Sequence, residues 1–273
     1  MAPVDLILKL QTSATAIRRQ VVQMAFEGQT SHVGSALSCA EILAVLYFHV
    51  MDIDPLGLRQ GDRFILSKGH GVMAWYAALA LRGFFPVQRL KEYAVDGSVL
   101  GEHPHRGSVP GIEVTTGSLG HGLSIASGMA LARAMDQTPG KVFVLLSDGE
   151  CNEGSIWEAA MYAAQAKLDN LMAIIDDNHM QALGNSRAIN ALEPLKDKWD
   201  AFGWETFEVN GHDAQGLLDA IQKMNAPNGK PKVLIARTCL GKGVSFMENE
   251  LLWHYQIPSQ EQVNQALTEL GSK

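Results

Sequence analysis

The stretch from residue 141 to 237 leaves this chain few ways to fold. Near-continuous apolar runs, "KVFVLLS" (141–147), "NLMAII" (170–175) and "KVLIAR" (232–237), and the more polar strand "WETFEV" (204–209), alternate with segments at helical spacing over 153–167, 194–202 and 213–224. Strands that lack polar alternation are buried on both faces, and strands joined through helices pair in parallel with the helices as crossovers. The pattern predicts a three-layer α/β/α fold with a mostly parallel central sheet. "RFILS" (63–67) adds a short strand that runs through the "KGHG" loop into an apolar helix over 72–82. Leu6, Leu10, Ile17, Val21 and Met24 place a helix over 5–27, ended by Gly28. Ser38 starts another helix over 39–50, and small residues form one over 120–136. Residues 95–118, rich in Gly, Pro and His, are too long for a plain connector. Residues 238–258 read as a long loop near the active site. No linker divides the chain, so 1–273 is expected to be a single domain.

Within this pattern, 141–176 forms one βαβ unit whose two strands end on the same side of the sheet. Ala159, Ala160, Ala163 and Ala164 let the helix between them pack closely. If the strands are neighbours, Asp148 and Asn178, thirty positions apart, emerge side by side on strand axes about 4.8 Å apart. Ligands of such sheets bind beyond the carboxyl ends of the strands. A carboxylate, an amide oxygen and backbone carbonyls are hard donors that suit Mg²⁺ or Ca²⁺, and Mg²⁺ takes few protein ligands beside diphosphate oxygens. Gly149 leaves room for a phosphate to approach its N–H. Asp-Gly or Asp-Asn alone is ordinary turn chemistry after a strand. Both together, at the ends of adjacent strands, point to a metal–diphosphate site. His32, His70 and His103 each lie in a Gly-containing loop, where functional side chains concentrate, rather than on an apolar helix face.

Asp148-Gly149 followed by Asn178 resembles the metal and diphosphate motif of thiamine-diphosphate enzymes, with Ser147 in place of that motif's first glycine. "LSKGHG" (66–71), "GIEVTTGSLGHGLSIASGMALA" (111–132), "DGECNEGSIWEAA" (148–160) and "IIDDN" (174–178) resemble the transketolase family in that order, over about residues 15–255. The resemblance implies that Asp148 and Asn178 bind the metal through their side chains and Met180 through its backbone carbonyl. It implies diphosphate contacts for His70 and Gly149, and contacts along the aminopyrimidine for Gly117 and Leu119. It places His32 and His103 around the hydroxyls of the donor sugar, and Glu153 in a hydrogen-bonded network between two active sites. His254, in "LLWHY", or another residue of that late loop is expected to contact the cofactor. Two stretches depart from the family. "MQALG" (180–184) has Ala182 and Leu183 where a large apolar residue and an Asp are usual, and "EHPHRG" (102–107) replaces Gly-His-Pro-Glu around His103.

The formal net charge of −7 argues against nucleic acid or an anionic membrane as a partner. Cys39, Cys151 and Cys239 are far apart, which favours a reducing cytoplasm over a disulfide framework. No apolar run approaches the roughly 18–20 residues needed to cross a bilayer, and "MAPVDLILKL" lacks the basic start of a signal peptide. In the family, the glutamate that activates the aminopyrimidine and the arginines that bind the sugar phosphate lie in later domains, and no stretch here matches them. The chain therefore resembles the N-terminal half of a split transketolase. It is expected to move a two-carbon ketol unit from a ketose phosphate to an aldose only with a separate C-terminal, pyrimidine-binding partner, forming a heterotetramer of two of each chain. "VTTGSLGHG" and "LSKGHG" speak against the alternative of a 2-oxo-acid dehydrogenase alpha chain. The intact set of Asp148, Asn178, His70 and His103 speaks against a regulatory subunit with a vestigial site. No G-x-G-x-x-G follows the first strand, which speaks against an NAD-binding fold.

Overall fold

The computed structural model describes residues 2–55 and 61–271. The chain opens with α1 (Val4–Glu27), which buries Leu10, Ile17, Val21 and Met24 at the expected spacing. Next come α2 (Val33–Ser38) and α3 (Ala40–Val45), broken at Cys39, and a wide helical turn over Leu46–Val50. The helix expected from 39 thus begins six residues earlier. Residues 33–38 are small or apolar and wholly buried against α1, so packing rather than a cap at Ser38 sets the start. β1 (Arg63–Leu66) leads through a turn at Gly69–Gly71 into α4 (Val72–Leu81), which is buried on all sides. A short turn at Val87–Glu92 precedes an irregular stretch that lasts until α5 (Gly122–Met135).

The βαβ unit comprises β2 (Val142–Ser147), a turn at Gly149–Asn152, α6 (Gly154–Gln165) and β3 (Leu171–Asp177). A small hairpin of β4 (Met180–Gln181) and β5 (Gly184–Asn185) follows, then α7 (Ser186–Ile189) and α8 (Leu195–Ala201). β6 (Glu205–Asn210), α9 (Ala214–Met224) and β7 (Lys232–Arg237) complete the sheet. The segment after β7 runs through turns at 240–243 and 245–249 and a short helical turn, Leu251–His254, before α10 (Gln260–Glu269). That last helix was not anticipated, although its capping box, Ser259 with Gln262, is readable in the sequence.

The main sheet has the order β1-β2-β3-β7-β6, and every neighbouring pair is parallel. Successive strand residues point to opposite faces. Phe64, Leu66, Phe143, Leu145, Met172 and Ile174 join one core with α1 to α4 and α9. Ile65, Val142, Val144, Leu146, Ala173 and Ile175 join the other with α5, α6 and α8. Both faces of β2, β3 and β7 are covered, which is why those strands carry no polar alternation, whereas the edge strand β6 (ETFEVN) alternates polar residues and is only partly buried. All five strands end on one edge. Ser147 stands opposite Asp176 in the β2–β3 register, so Asp148 and Asn178 leave adjacent strands there, as the spacing predicted.

A candidate functional site at the carboxyl edge of the sheet

β3 extends past its last apolar residue because two buried carboxylates continue its pairing, Asp176 opposite Ala236 and Asp177 opposite Arg237. Each is compensated. The buried Lys68 ammonium donates to Asp176 Oδ2 at 2.5 Å and to the Ser35 carbonyl at 2.8 Å. Ser38 Oγ and Thr238 Oγ1 also donate to Asp176, each at 2.5 Å. Asp177 is paired with Arg237, which also reaches Glu193 and Glu208. Asp176 therefore ties together the loops after β1, β3 and β7. Lys68 and Asp176 were not among the residues expected from the sequence. Their signal was a lysine between the apolar strand "RFIL" and the "GHG" turn, and an aspartate directly continuing the apolar run "LMAII".

Asp148 is buried beside this network. Its Oδ2 accepts a hydrogen bond from Ser186 Oγ at 2.5 Å, and its Oδ1 is buried without a hydrogen-bond partner among the described residues. Burial pushes its carboxyl up to about 7, with the charges of Asp177 and Asp176 adding to the effect against the Ser186 bond. Asn178, also buried, accepts the Met180 N–H on Oδ1 at 3.0 Å and donates to Ser38 Oγ at 3.3 Å. Ligand-type atoms of Asp148, Asp177 and His179 lie within 4.8 Å of one another. A divalent cation fits this group. An unpaired buried carboxylate oxygen is costly, Asp148 and Asp177 offer hard oxygens beside the His179 ring nitrogen, and the Asn178 carbonyl oxygen keeps a second lone pair. Gly149 lies under the hairpin, where an added Cβ would stand 2.9 Å from Gln181 Cβ.

Three loops contribute a histidine cluster. The rings of His32 and His254 are 5.0 Å apart, those of His32 and His70 5.3 Å, and those of His70 and His254 5.8 Å. The His32 N–H donates to the His254 carbonyl at 3.2 Å, which binds the late loop to the turn before α2. His103 approaches from the irregular stretch. Gly117 has φ +152°, and a Cβ there would lie 2.9 Å from His103 Cδ2, while a Cβ at Gly69 would lie 2.9 Å from Gly117 N. Only glycines allow the His70, His103 and "TTGSLG" loops to meet this closely. His254 thus sits among the residues the sequence grouped, and Tyr255 beside it donates its hydroxyl to the Ala182 carbonyl. The late loop covers the hairpin at the position where the chain carries a small residue.

Burial, and then the neighbouring histidines and Lys68, hold His32 down at about 4. Burial followed by Lys68 holds His70 well below the usual histidine range, and burial with Lys68 also lowers His254. Burial lowers His103, against Glu102. The cluster is therefore neutral at pH 7, with each ring able to donate and to accept. A lowered folded-state pKa means that the unfolded chain binds the proton first. Stability from this group is complete above about 6.5 and is lost as pH falls toward about 4. His32→Gln is expected to flatten the decline of the melting temperature between pH 6.5 and 4 relative to wild type. Parallel declines in both proteins would refute the assignment.

The remaining residues lie along the "TTGSLG" loop. Glu150, which no sequence pattern singled out, is buried and accepts from Ser67 Oγ, from Gly120 N–H at 2.8 Å and from Ser147 N–H at 3.3 Å. It locks the loop after β2 to the one that carries Gly117 and Leu119. Leu119 is half-buried, and Glu153 is exposed with its Cβ and Cγ beside Gly120. His105 and His121 are both exposed.

Residues 10–273 match the family model "Transketolase, thiamine diphosphate binding domain". The chain is 42% identical over 268 residues to an apulose-4-phosphate transketolase subunit of Phocaeicola vulgatus, covering 97% of this chain and 94% of that one. It is 43% identical over 265 residues to the 6-deoxy-6-sulfo-D-fructose transketolase subunit SqwG of a Clostridium species, covering 96% of each. The fold superposes on the solved transketolase from Leishmania mexicana with a TM-score of 0.91 at 30% identity, covering 97% of this chain and 41% of that one. The chain thus spans about two fifths of the solved relative.

Proposed function

The chain belongs to the transketolase family as a thiamine-diphosphate-binding domain, and on that footing we propose that it is the N-terminal subunit of a split transketolase. With a C-terminal subunit that supplies the pyrimidine-binding half, it moves a two-carbon ketol unit from a ketose phosphate to an aldose. One observation carries the site assignment: the buried, unpaired Asp148 Oδ1 stands beside Asn178 at the same sheet edge as a cluster of neutral histidines. The relatives named as subunits support the separate partner, and two of each chain is the arrangement we favour. We read the chain as a single domain, with 238–258 lying over the site. In the described residues no helix is long and apolar enough to cross a membrane, and the free Cys39, Cys151 and Cys239 suit the cytoplasm.

Asp148, Asn178 and the Met180 carbonyl would hold Mg²⁺ or Ca²⁺, and His70 and the Gly149 N–H would take diphosphate oxygens. Gly117 and Leu119 would line the aminopyrimidine end, with His254 over the cofactor from the late loop. When bound, thiamine diphosphate supplies the nucleophilic carbon and the electron sink for breaking a bond next to a carbonyl. The protein's part is orientation and proton handling. His32 and His103, neutral and half-buried, donate to and accept from the donor's hydroxyls, and Glu153 reaches toward the partner subunit. The Lys68–Asp176 pair keeps the His70 and Asn178 loops in register.

His103→Ala tests the donor-side role. It is expected to lower kcat and kcat/KM for ketose donors together, by about tenfold or more, because a lost transition-state contact appears in both. Cofactor affinity should stay at the wild-type value. Wild-type kinetics with several ketose donors would remove His103 from the site.

A further inference from the structure

His212, in the loop between β6 and α9, belongs to no part of the site described above, yet it bridges α3 and the start of the segment after β7. Its Nδ1 lies 3.0 Å from Glu41 Oε2 on α3, and its Nε2 accepts the Cys239 N–H at 2.9 Å. Because Nε2 is the acceptor, the proton must be on Nδ1, which donates to Glu41. Both Glu41 oxygens are also held by the buried guanidinium of Arg18 from α1. Burial would raise the Glu41 carboxyl, but the His212 bond and Arg18 outweigh it and hold it down at about 2. The acceptor is thus a fixed carboxylate, and the imidazole is locked in one tautomer and one orientation.

The bond on its far side falls where β7 ends and the late loop begins. Thr238 N–H donates to the Asp177 carbonyl at 3.0 Å, Cys239 N–H to His212, and Gly241 N–H to the Gly34 carbonyl at 3.0 Å. From there the loop runs to His254, whose ring and carbonyl meet His32. We propose that His212 is a positioning residue for the cofactor site: through the Cys239 N–H it anchors the root of the 238–258 strap and so delivers His254 to the histidine cluster. The chain Arg18–Glu41–His212–Cys239 carries the rigidity of the α1–α3 layer into a segment that has little secondary structure of its own.

Two conservative variants separate this role from mere filling of a buried space. His212→Gln keeps an acceptor at the ε position for Cys239 N–H. His212→Asn keeps a donor at the δ position for Glu41 but cannot reach Cys239. Hydrogen exchange of the strap amides, measured on this chain, is expected to quicken about tenfold over 239–241 in His212→Asn and to remain close to wild type in His212→Gln. The catalytic consequence rests on the transketolase reading: in the assembled enzyme His212→Asn should raise the KM for thiamine diphosphate several-fold at nearly unchanged saturated kcat, and His212→Gln should restore it. Equal exchange and equal melting temperatures in the two variants would overturn the anchor. Faster exchange with an unchanged cofactor KM would overturn its role in positioning. A wild-type assembly without ketol transfer would instead strike the transketolase reading, since the exchange measurement does not depend on it.

Discussion

Asp148→Ala is expected to lower thiamine-diphosphate affinity in the assembled enzyme by at least about 10–100-fold, the loss typical even of residues that only support metal ligands. Asp148 is the one charged side chain assigned to the cation, so the effect should exceed that of its neighbours. The fold should survive, because the substitution removes one side-chain hydrogen bond, that from Ser186, and keeps the backbone bonds to Asp176 and Cys151. Asp148→Asn sharpens the test. It removes a buried charge whose carboxyl is already pushed up to about 7 by burial, so the metal-free melting temperature should hold or rise. The stabilisation by Mg²⁺ with the cofactor, about 2.7 kcal/mol at a hundredfold excess over Kd in wild type, should disappear in the same variant. Circular dichroism and thermal denaturation with and without Mg²⁺ and cofactor read both halves. Cofactor affinity equal to wild type in either variant would sink the metal assignment.

The second large effect concerns the partner. This chain alone, with Mg²⁺ and thiamine diphosphate in excess, is expected to show no ketol transfer, and addition of the C-terminal subunit should bring turnover into the usual enzymatic range of about 1–10³ per second. Activation of the aminopyrimidine needs a carboxylic group that faces that ring. Of the glutamates in the loop after β2, Glu150 is engaged by Ser67, Gly120 and Ser147, and Glu153 points into solvent. The second subunit would also cover apolar surface. Met135 on α5 and Met161 and Tyr162 on α6 are 74%, 54% and 48% exposed, and these two helices pack against each other. Obligate interfaces are more apolar than other surfaces, and these side chains are exposed apolar positions that a partner could cover. The isolated chain should therefore self-associate weakly in sedimentation and bind the cofactor poorly, and both properties should change on mixing. Robust turnover by the purified chain alone would overturn the split-enzyme reading.

Much of this was determined by the sequence alone. The continuous apolar runs between helical segments required a doubly covered parallel sheet, since period-2 strands without polar positions have no face to offer solvent. The spacing of Asp148 and Asn178 placed both at one edge, because a βαβ unit returns its chain to the same side. The glycine-bearing loops of His32, His70 and His103 were legible because functional loops need backbone freedom, and Gly117 shows why. What the tertiary structure decided was which charges could be buried. Lys68, Asp176, Glu150, Glu41 and His212 are separated by tens of residues in sequence, and nothing in the sequence shows which of them meet or which partners keep them buried or half-buried. Each is tolerated only because folding supplies its partner from another loop: Asp176 for Lys68, Ser67 and Gly120 for Glu150, Arg18 and Cys239 for the Glu41–His212 pair. The strap containing His254 is the clearest case. Periodicity could mark it only as a long loop, because its course is set by backbone hydrogen bonds to α2, β3 and the β6–α9 loop. Those bonds exist only once the five strands have brought their carboxyl ends together.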